Sequence, residues 1–162
     1  MLNKLFTILV FLFFAIPEII SATIPSCELK NQAVEDFIKK KAKELSGEEY
    51  CQYRLYSTMD DIDGDDQEDF IMVFTIEGIA GGSNDSVQFL AVWLSKQKSE
   101  GPLYLKVGER GERVIEGLTV ENKTITLTTK EYQKSDPMCC PTKDGQLTVS
   151  LSNEKLVSHE GK

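Results

Sequence analysis

Apolar side chains recur at three- and four-residue intervals near the start of the chain. Within Cys27–Tyr50, the residues Val34, Phe37, Ile38, Ala42 and Leu45 share one stripe of a helix. Lys39, Lys40 and Lys43 lie off that stripe. With Lys41 they read as the solvated face near a helix C-terminus rather than as a binding patch. Gly47 is expected to stop the helix, as a residue that tolerates positive φ. After Gly47 the pattern changes to strands. "YCQYRLYST" alternates, "DFIMVFTIEG" and "SVQFLAVWLS" are dense in β-formers, and "LYLKVGE" follows. Two hairpins close the chain. One is "VIEGLTVENKTITLTTKEY", turning at Glu121-Asn122-Lys123, and the other is "QLTVSLSNEKLVSH", turning at Ser152-Asn153-Glu154. The pattern predicts an α+β fold: one N-terminal helix packed on a mostly antiparallel sheet of about seven short strands.

A different pattern precedes the helix. Lys4 is followed by "LFTILVFLFFAI", then Pro17 and "EIISA". A basic start, a short apolar core and a small residue at the end predict a signal peptide over 1–22, cut after Ala22. The core is short for a membrane span, which needs about 20 residues. The remaining 23–162 form a single exported domain, periplasmic or secreted. Lipid attachment at Cys27 is the alternative, but Pro25 and Glu18 depart from its usual pattern. The formal net charge is −8. An acidic surface argues against nucleic acid and anionic membranes as partners, and no later segment is apolar enough for a transmembrane span.

Cys27, Cys51, Cys139 and Cys140 all follow the predicted cut. An even count in an exported chain reads as two disulfides. Three pairings are open. Two link Cys27 and Cys51 to the adjacent pair, one each, and the third joins Cys27 to Cys51 and leaves Cys139–Cys140 as a bond between neighbours. A structural zinc site does not fit, because adjacent cysteines lack the ligand spacing and His159 is the only histidine.

"DDIDGDDQEDF", Asp60 to Phe70, carries seven carboxylates in eleven residues. Counted from Asp61, the acids Asp61, Asp63, Asp65 and Asp69 occupy positions 1, 3, 5 and 9, and Gln67 offers a backbone carbonyl at position 7. Such oxygens suit calcium, which takes six to eight at about 2.3–2.6 Å. An EF-hand is excluded, since position 12 is Met72 and the flanks read as strands. The loop resembles the calcium loops of FG-GAP and VCBS-type repeats, which join two strands. That resemblance implies Ca2+ as a structural ligand held by Asp61, Asp63, Asp65, Gln67 and Asp69. It departs from the pattern at position 6, where Asp66 replaces a glycine that often adopts a left-handed conformation. A bare acidic turn that keeps a sheet edge soluble is the other reading.

"DIDGDDQEDFIMVF", "GGSNDSVQFLAVWL", "VGERGERVIEGLTVENKTITL" and "SDPMCCPT" occur in that order. Together they resemble a group of uncharacterised exported bacterial proteins with a D-P-M-C-C-P motif. The resemblance implies export, a shared fold, and Cys139 and Cys140 as a unit of their own, bracketed by Pro137 and Pro141. It carries no activity.

No nucleophile, base and orienting group stand in a recognisable signature. Paired carboxylates for a hydrolase would come from Glu77, Asp85 or Glu116. Cys-x-x-Cys is absent, and "GIAGGSND" lacks the lysine of a phosphate loop. Phe89 and Trp93 read as core rather than sugar-binding aromatics. The reading favoured by these residues is an exported binding or envelope-associated domain with a protein or glycan partner, whose binding surface lies in "GIAGGSND" or around Pro137 to Lys143. A small exported hydrolase and a proteinaceous enzyme inhibitor are the alternatives.

Overall fold

The computed structural model describes residues 31–51, 57–81, 84–97 and 101–160. The expected signal peptide, its expected cut after Ala22 and Cys27 lie outside the described residues, as do 52–56 of the first expected strand. Helix α1 spans Gln32–Glu44. Asn31 caps it, its side chain accepting from the amides of Ala33 (3.1 Å) and Val34 (3.4 Å). Val34, Ile38 and Ala42 are buried, with Phe37 and Leu45 packed beside them, so the expected stripe is the buried one.

The helix ends differently from the expectation at Gly47. Ser46, not Gly47, takes the positive φ, at 54°. Gly47 N–H donates to Ala42 O at 2.9 Å and Ser46 N–H to Lys43 O at 3.2 Å, which is a Schellman closure with serine in the left-handed position. Gly47 is required for close packing instead, since a Cβ there would sit 2.5 Å from the Glu77 carbonyl oxygen. Lys41 also departs from the solvated face assigned to it. Its ammonium bonds Glu44 at 2.8 Å and lies 4.3 Å from the centroid of the Tyr104 ring. Burial works to lower its pKa, but the Glu44 and Tyr104 contacts outweigh burial and raise it.

Among the described residues nine strands follow α1: β1 Glu48–Glu49, β2 Ser57–Asp60, β3 Asp69–Glu77, β4 Ser86–Trp93, β5 Leu103–Glu109, β6 Arg113–Glu121, β7 Thr124–Glu131, β8 Lys143–Ser152 and β9 Lys155–Glu160. The fold is α+β, a helix on an antiparallel sheet, with somewhat more strands than the pattern predicts. Two-residue β1 is too short to show a period. It pairs with one end of β3 (Glu48 opposite Glu77) while β2 pairs with the other (Asp60 opposite Asp69). From β3 onward each strand pairs with the next in the chain. No described helix is long and apolar enough to cross a membrane.

The sheet turns sharply between β5 and β6, which share only the pair Glu109 and Arg113. The two halves therefore face each other. Ile71, Val73, Leu90 and Val92 from the first half meet Ile115, Ile125, Leu127, Leu147 and Val149 from the second in one core. Met72, Phe74, Ile76, Phe89 and Ala91 point the other way and meet α1. Strands β3 and β4 are thus covered on both faces, which is why they read as continuous apolar runs rather than alternating ones. Phe89 is buried, and Trp93 packs edge-on against Phe37 at 5.7 Å, so both belong to the helix-facing core.

A buried polar side chain joins the halves. The register of β6 slips between Ile115 and Gly117. Buried Gln88 meets the amide exposed by that bulge, its Oε1 accepting from Ile115 N at 2.7 Å, while its Nε2 donates to Thr75 Oγ1 at 3.3 Å. The two hairpin turns are tighter than expected, with two central residues each. Asn122 and Lys123 have φ of 49° and 61°, and Asn153 and Glu154 have 49° and 60°. Glu121 pairs with Thr124 and Ser152 with Lys155, the arrangement of type I′ turns.

Two stability outcomes follow from these contacts. Gln88→Leu strands the Ile115 amide in the core and should cost about 1–3 kcal/mol in urea unfolding. Glu154→Gly relieves a left-handed non-glycine residue at an Asn-Gly turn and should raise stability by about 0.5–1 kcal/mol in the same assay.

Candidate functional site

The acidic loop, residues 61–68, joins β2 to β3 as the sequence predicts. Its carboxylates are held by the loop's own amides. Asp61 Oδ1 accepts from Gly64 N (2.6 Å) and Asp65 N (3.2 Å), and its Oδ2 from Asp66 N (3.2 Å). Asp63 Oδ1 accepts from Asp65 N at 3.1 Å, and Asp65 Oδ1 from Gln67 N at 2.9 Å. Asp66 takes the left-handed position that the calcium-loop pattern gives to glycine, with φ of 62°. One oxygen each from Asp61, Asp63 and Asp65 lie within 4.8 Å of one another.

Asp69 is not in that group. Asp69 is fully buried, and its carboxylate straps the loop to the exit of β4, accepting from Ile62 N (3.0 Å) and Ser95 N (2.8 Å). Gln67 turns its amide nitrogens toward Asp65. Two lysines offset part of the charge. Lys96 Nζ meets Asp63 Oδ2 at 2.5 Å, and that oxygen, closed off from water, has no other partner. Lys123, from the β6–β7 turn, lies against Gly64. Burial works to raise the Asp61 pKa, but the Gly64, Asp66 and Asp65 amides and Lys123 bring it below the ordinary value. The bond to Asp63 raises Lys96 despite some desolvation.

A second site shares no residue with this loop. A cleft of about 880 Å3 opens near the β5–β6 corner, and Thr75, Gln88 and Ile115 are among its lining residues. Asn84 contributes from one loop and Met138, Cys139, Cys140 and Pro141 from another. Both belong to the segments from which a binding surface is expected, although Gly82 and Ser83 lie outside the described residues. Arg110 links the two loops. Its Nε donates to Met138 O at 3.3 Å and its Nη1 to Asn84 O. Tyr132 Oη donates to the same Met138 carbonyl at 2.9 Å.

Cys139 and Cys140 are bonded to each other, with Cα atoms 3.7 Å apart. Cys51 is also in a disulfide, and Cys27, its partner in one of the open pairings, lies outside the described residues. The loop carrying the adjacent pair is closed at its base by Asp136. Its Oδ2 accepts from Gln133 N (2.8 Å) and Thr142 N (2.9 Å), and its Oδ1 from Thr142 Oγ1 (2.9 Å). The Gln133 amide, with the two Thr142 bonds, lowers the Asp136 pKa against a smaller effect of desolvation.

Of the candidate acids, Glu77 and Glu116 line the cleft, while Asp85 sits just before β4, where its carbonyl accepts from Gly78 N. His159 is on β9, opposite Thr148, and does not line the cleft. Arg110, Arg113 and Tyr132 are not legible as site residues in the sequence. "GERGER" has no signature, and the arginines acquire meaning only when the sheet turns its corner. No family model, curated protein or solved structure matches this chain.

The lowered Asp136 pKa carries a pH dependence. A carboxylate favoured in the folded state contributes fully above its unfolded pKa of about 4 and loses that contribution as the pH falls through the folded value. Asp136→Asn should therefore melt below the native protein at pH 6, with the gap closing progressively below about pH 4. A gap independent of pH would assign the effect to something other than the carboxylate.

Proposed function

We propose that this protein is a secreted or periplasmic binding or envelope-associated domain, and that its protein or glycan ligand sits in the cleft between Asn84 and Met138–Pro141. The observation that carries the reading is Arg110. It draws together two loops far apart in sequence at the mouth of one cleft, beside Tyr132. Aromatic and hydrogen-bonding side chains converging in a concave site are the usual composition of a ligand pocket. The leader-like N-terminus, the cysteine count and the resemblance to exported bacterial proteins support the compartment.

The acidic loop we read as a structural calcium staple between β2 and β3. Asp61, Asp63 and Asp65 supply the first oxygens. Lys96 and Lys123 supply the positive charge that a dication would replace, the Gln67 carbonyl would add a further oxygen, and Asp69, already bonded to two amides, would join only after a local shift. The ion would fix the hairpin rather than do chemistry.

A specific observation also keeps a second reading, a hydrolase using carboxylates, since Glu77 and Glu116 line the same cleft. Glu116→Gln would abolish turnover in that case and leave a simple binder's affinity within a few-fold.

Two measurements test the proposal. Glycan and peptide arrays should retain one ligand class, with Tyr132→Ala weakening it by about tenfold or more, or about 1.4 kcal/mol. Binding that ignores Tyr132 and Arg110 would move the site elsewhere. Titration calorimetry with calcium should show one ion per chain for the native protein and none for Asp63→Asn combined with Asp65→Asn. Chelator should lower the melting temperature of the native protein only. An absence of heat at millimolar calcium would leave a lysine-neutralised acidic turn.

A further inference from the structure

One wall of the cleft is built around a disulfide between neighbouring residues. Cys139 and Cys140 are exposed, line the cleft, and are bonded to each other. The residue before them is held twice, because the Met138 carbonyl accepts from both Tyr132 Oη and Arg110 Nε. The same guanidinium donates to the Asn84 carbonyl on the other loop. On the far side, Cys140 N–H donates to Pro137 O at 3.0 Å. A bond between neighbouring cysteines closes an eight-membered ring and limits the torsions of both residues. Cleaving it frees those torsions next to the Met138 carbonyl, one of the two that Arg110 joins.

We propose that Cys139–Cys140 is a thiol-exchangeable disulfide that sets the geometry of the cleft. With the ring closed, Asn84, Arg110 and Met138 stay in register. With it open, the Met138 carbonyl leaves Arg110 Nε, and the guanidinium that meets the Asn84 carbonyl is no longer fixed from the Met138 side. The inference rests on the reading of the cleft as the binding site and adds its regulation.

The partner is an external thiol, either a small monothiol or an exposed protein thiol. Its thiolate attacks one Sγ, forming a mixed disulfide as the Sγ–Sγ bond breaks. The other cysteine leaves as a thiolate and takes a proton. A second external thiol, deprotonated, attacks the mixed disulfide and releases the first cysteine, which also takes a proton. Two thiols become one external disulfide, and the protein gains two electrons and two protons. The freed cysteines remain on adjacent residues, so their effective concentration for re-closure is high.

The test uses the full mature chain in glutathione buffers of increasing reducing strength. Alkylation and mass spectrometry identify which cysteines have opened, and hydrogen exchange reports residues 84–88 and 133–142. Cys139 and Cys140 are expected to open while Cys51 remains oxidised. Exchange should then rise about tenfold or more in both segments, consistent with losing an anchoring contact of about 1.4 kcal/mol. In Arg110→Gln, oxidised protein should already show the faster exchange at 84–88, and reduction should add to 133–142 alone. Cys139→Ser with Cys140→Ser should reproduce the reduced pattern without reductant, which separates the effect from the Cys51 bridge. An opened pair with unchanged exchange at 84–88 would overturn the proposal, as would a pair that opens only together with Cys51. Array binding is read separately: a missing ligand class with the coupling intact rejects the binding role alone, and retained binding without coupling rejects the switch alone.

Discussion

Strands β3 and β4 have no wet face. Helix α1 covers one side and the β6–β9 half of the sheet covers the other. A polar group in the buried stretch of these two strands must find its partner inside the protein, because an unsatisfied buried amide costs about 1–3 kcal/mol. That constraint explains the placement of Gln88. It sits in the middle of the fold, and its amide serves the opposing half-sheet at the one point where the β6 ladder breaks. The same constraint explains Asp69. At the start of β3 its carboxylate is out of water, and both oxygens are used by amides of the acidic loop and of the β4 exit.

The acidic loop shows how seven carboxylates can share eleven residues. Repulsion is offset locally by backbone N–H groups that point at Asp61, Asp63 and Asp65, and then by two lysines delivered from elsewhere. Lys96 follows β4 in the same half-sheet, whereas Lys123 comes from a turn in the other. The loop is therefore an electrostatic contact between halves as well as a connection between β2 and β3. The left-handed turn residues Asn122 and Lys123 are what bring that second ammonium to it.

Much of the architecture is legible in the sequence because each signal is local. Val34, Phe37, Ile38, Ala42 and Leu45 mark a helix face by period, and the paired hairpins mark their turns by Asn. The turns themselves differ from the expected three-residue reading, since type I′ geometry is usually announced by Asn-Gly and neither turn has the glycine. Ser46 could not be foreseen in the left-handed position with Gly47 next to it. What makes Gly47 necessary is the approach of the Glu77 carbonyl, a contact between distant residues. The site divides the same way. The acidic loop and "DPMCC" stand out as compositions within a few residues. The cleft is composite, and nothing near Arg110 in sequence says that Asn84 and Met138 will be within its reach.

The order of the strands has a consequence for how the molecule assembles. From β3 to β9 every ladder joins consecutive segments, so the loops that must close to form them are short and their entropic cost is small. The whole backbone framework can be laid down hairpin by hairpin, starting anywhere along it. What cannot form locally is the closure of the two halves. Gln88 meets Ile115 across 27 positions, and the shared core brings Ile71 to Val149. Closure of the two halves about the single pair Glu109–Arg113 is thus the non-local part of the fold, and the lining of the cleft is complete only once it is made.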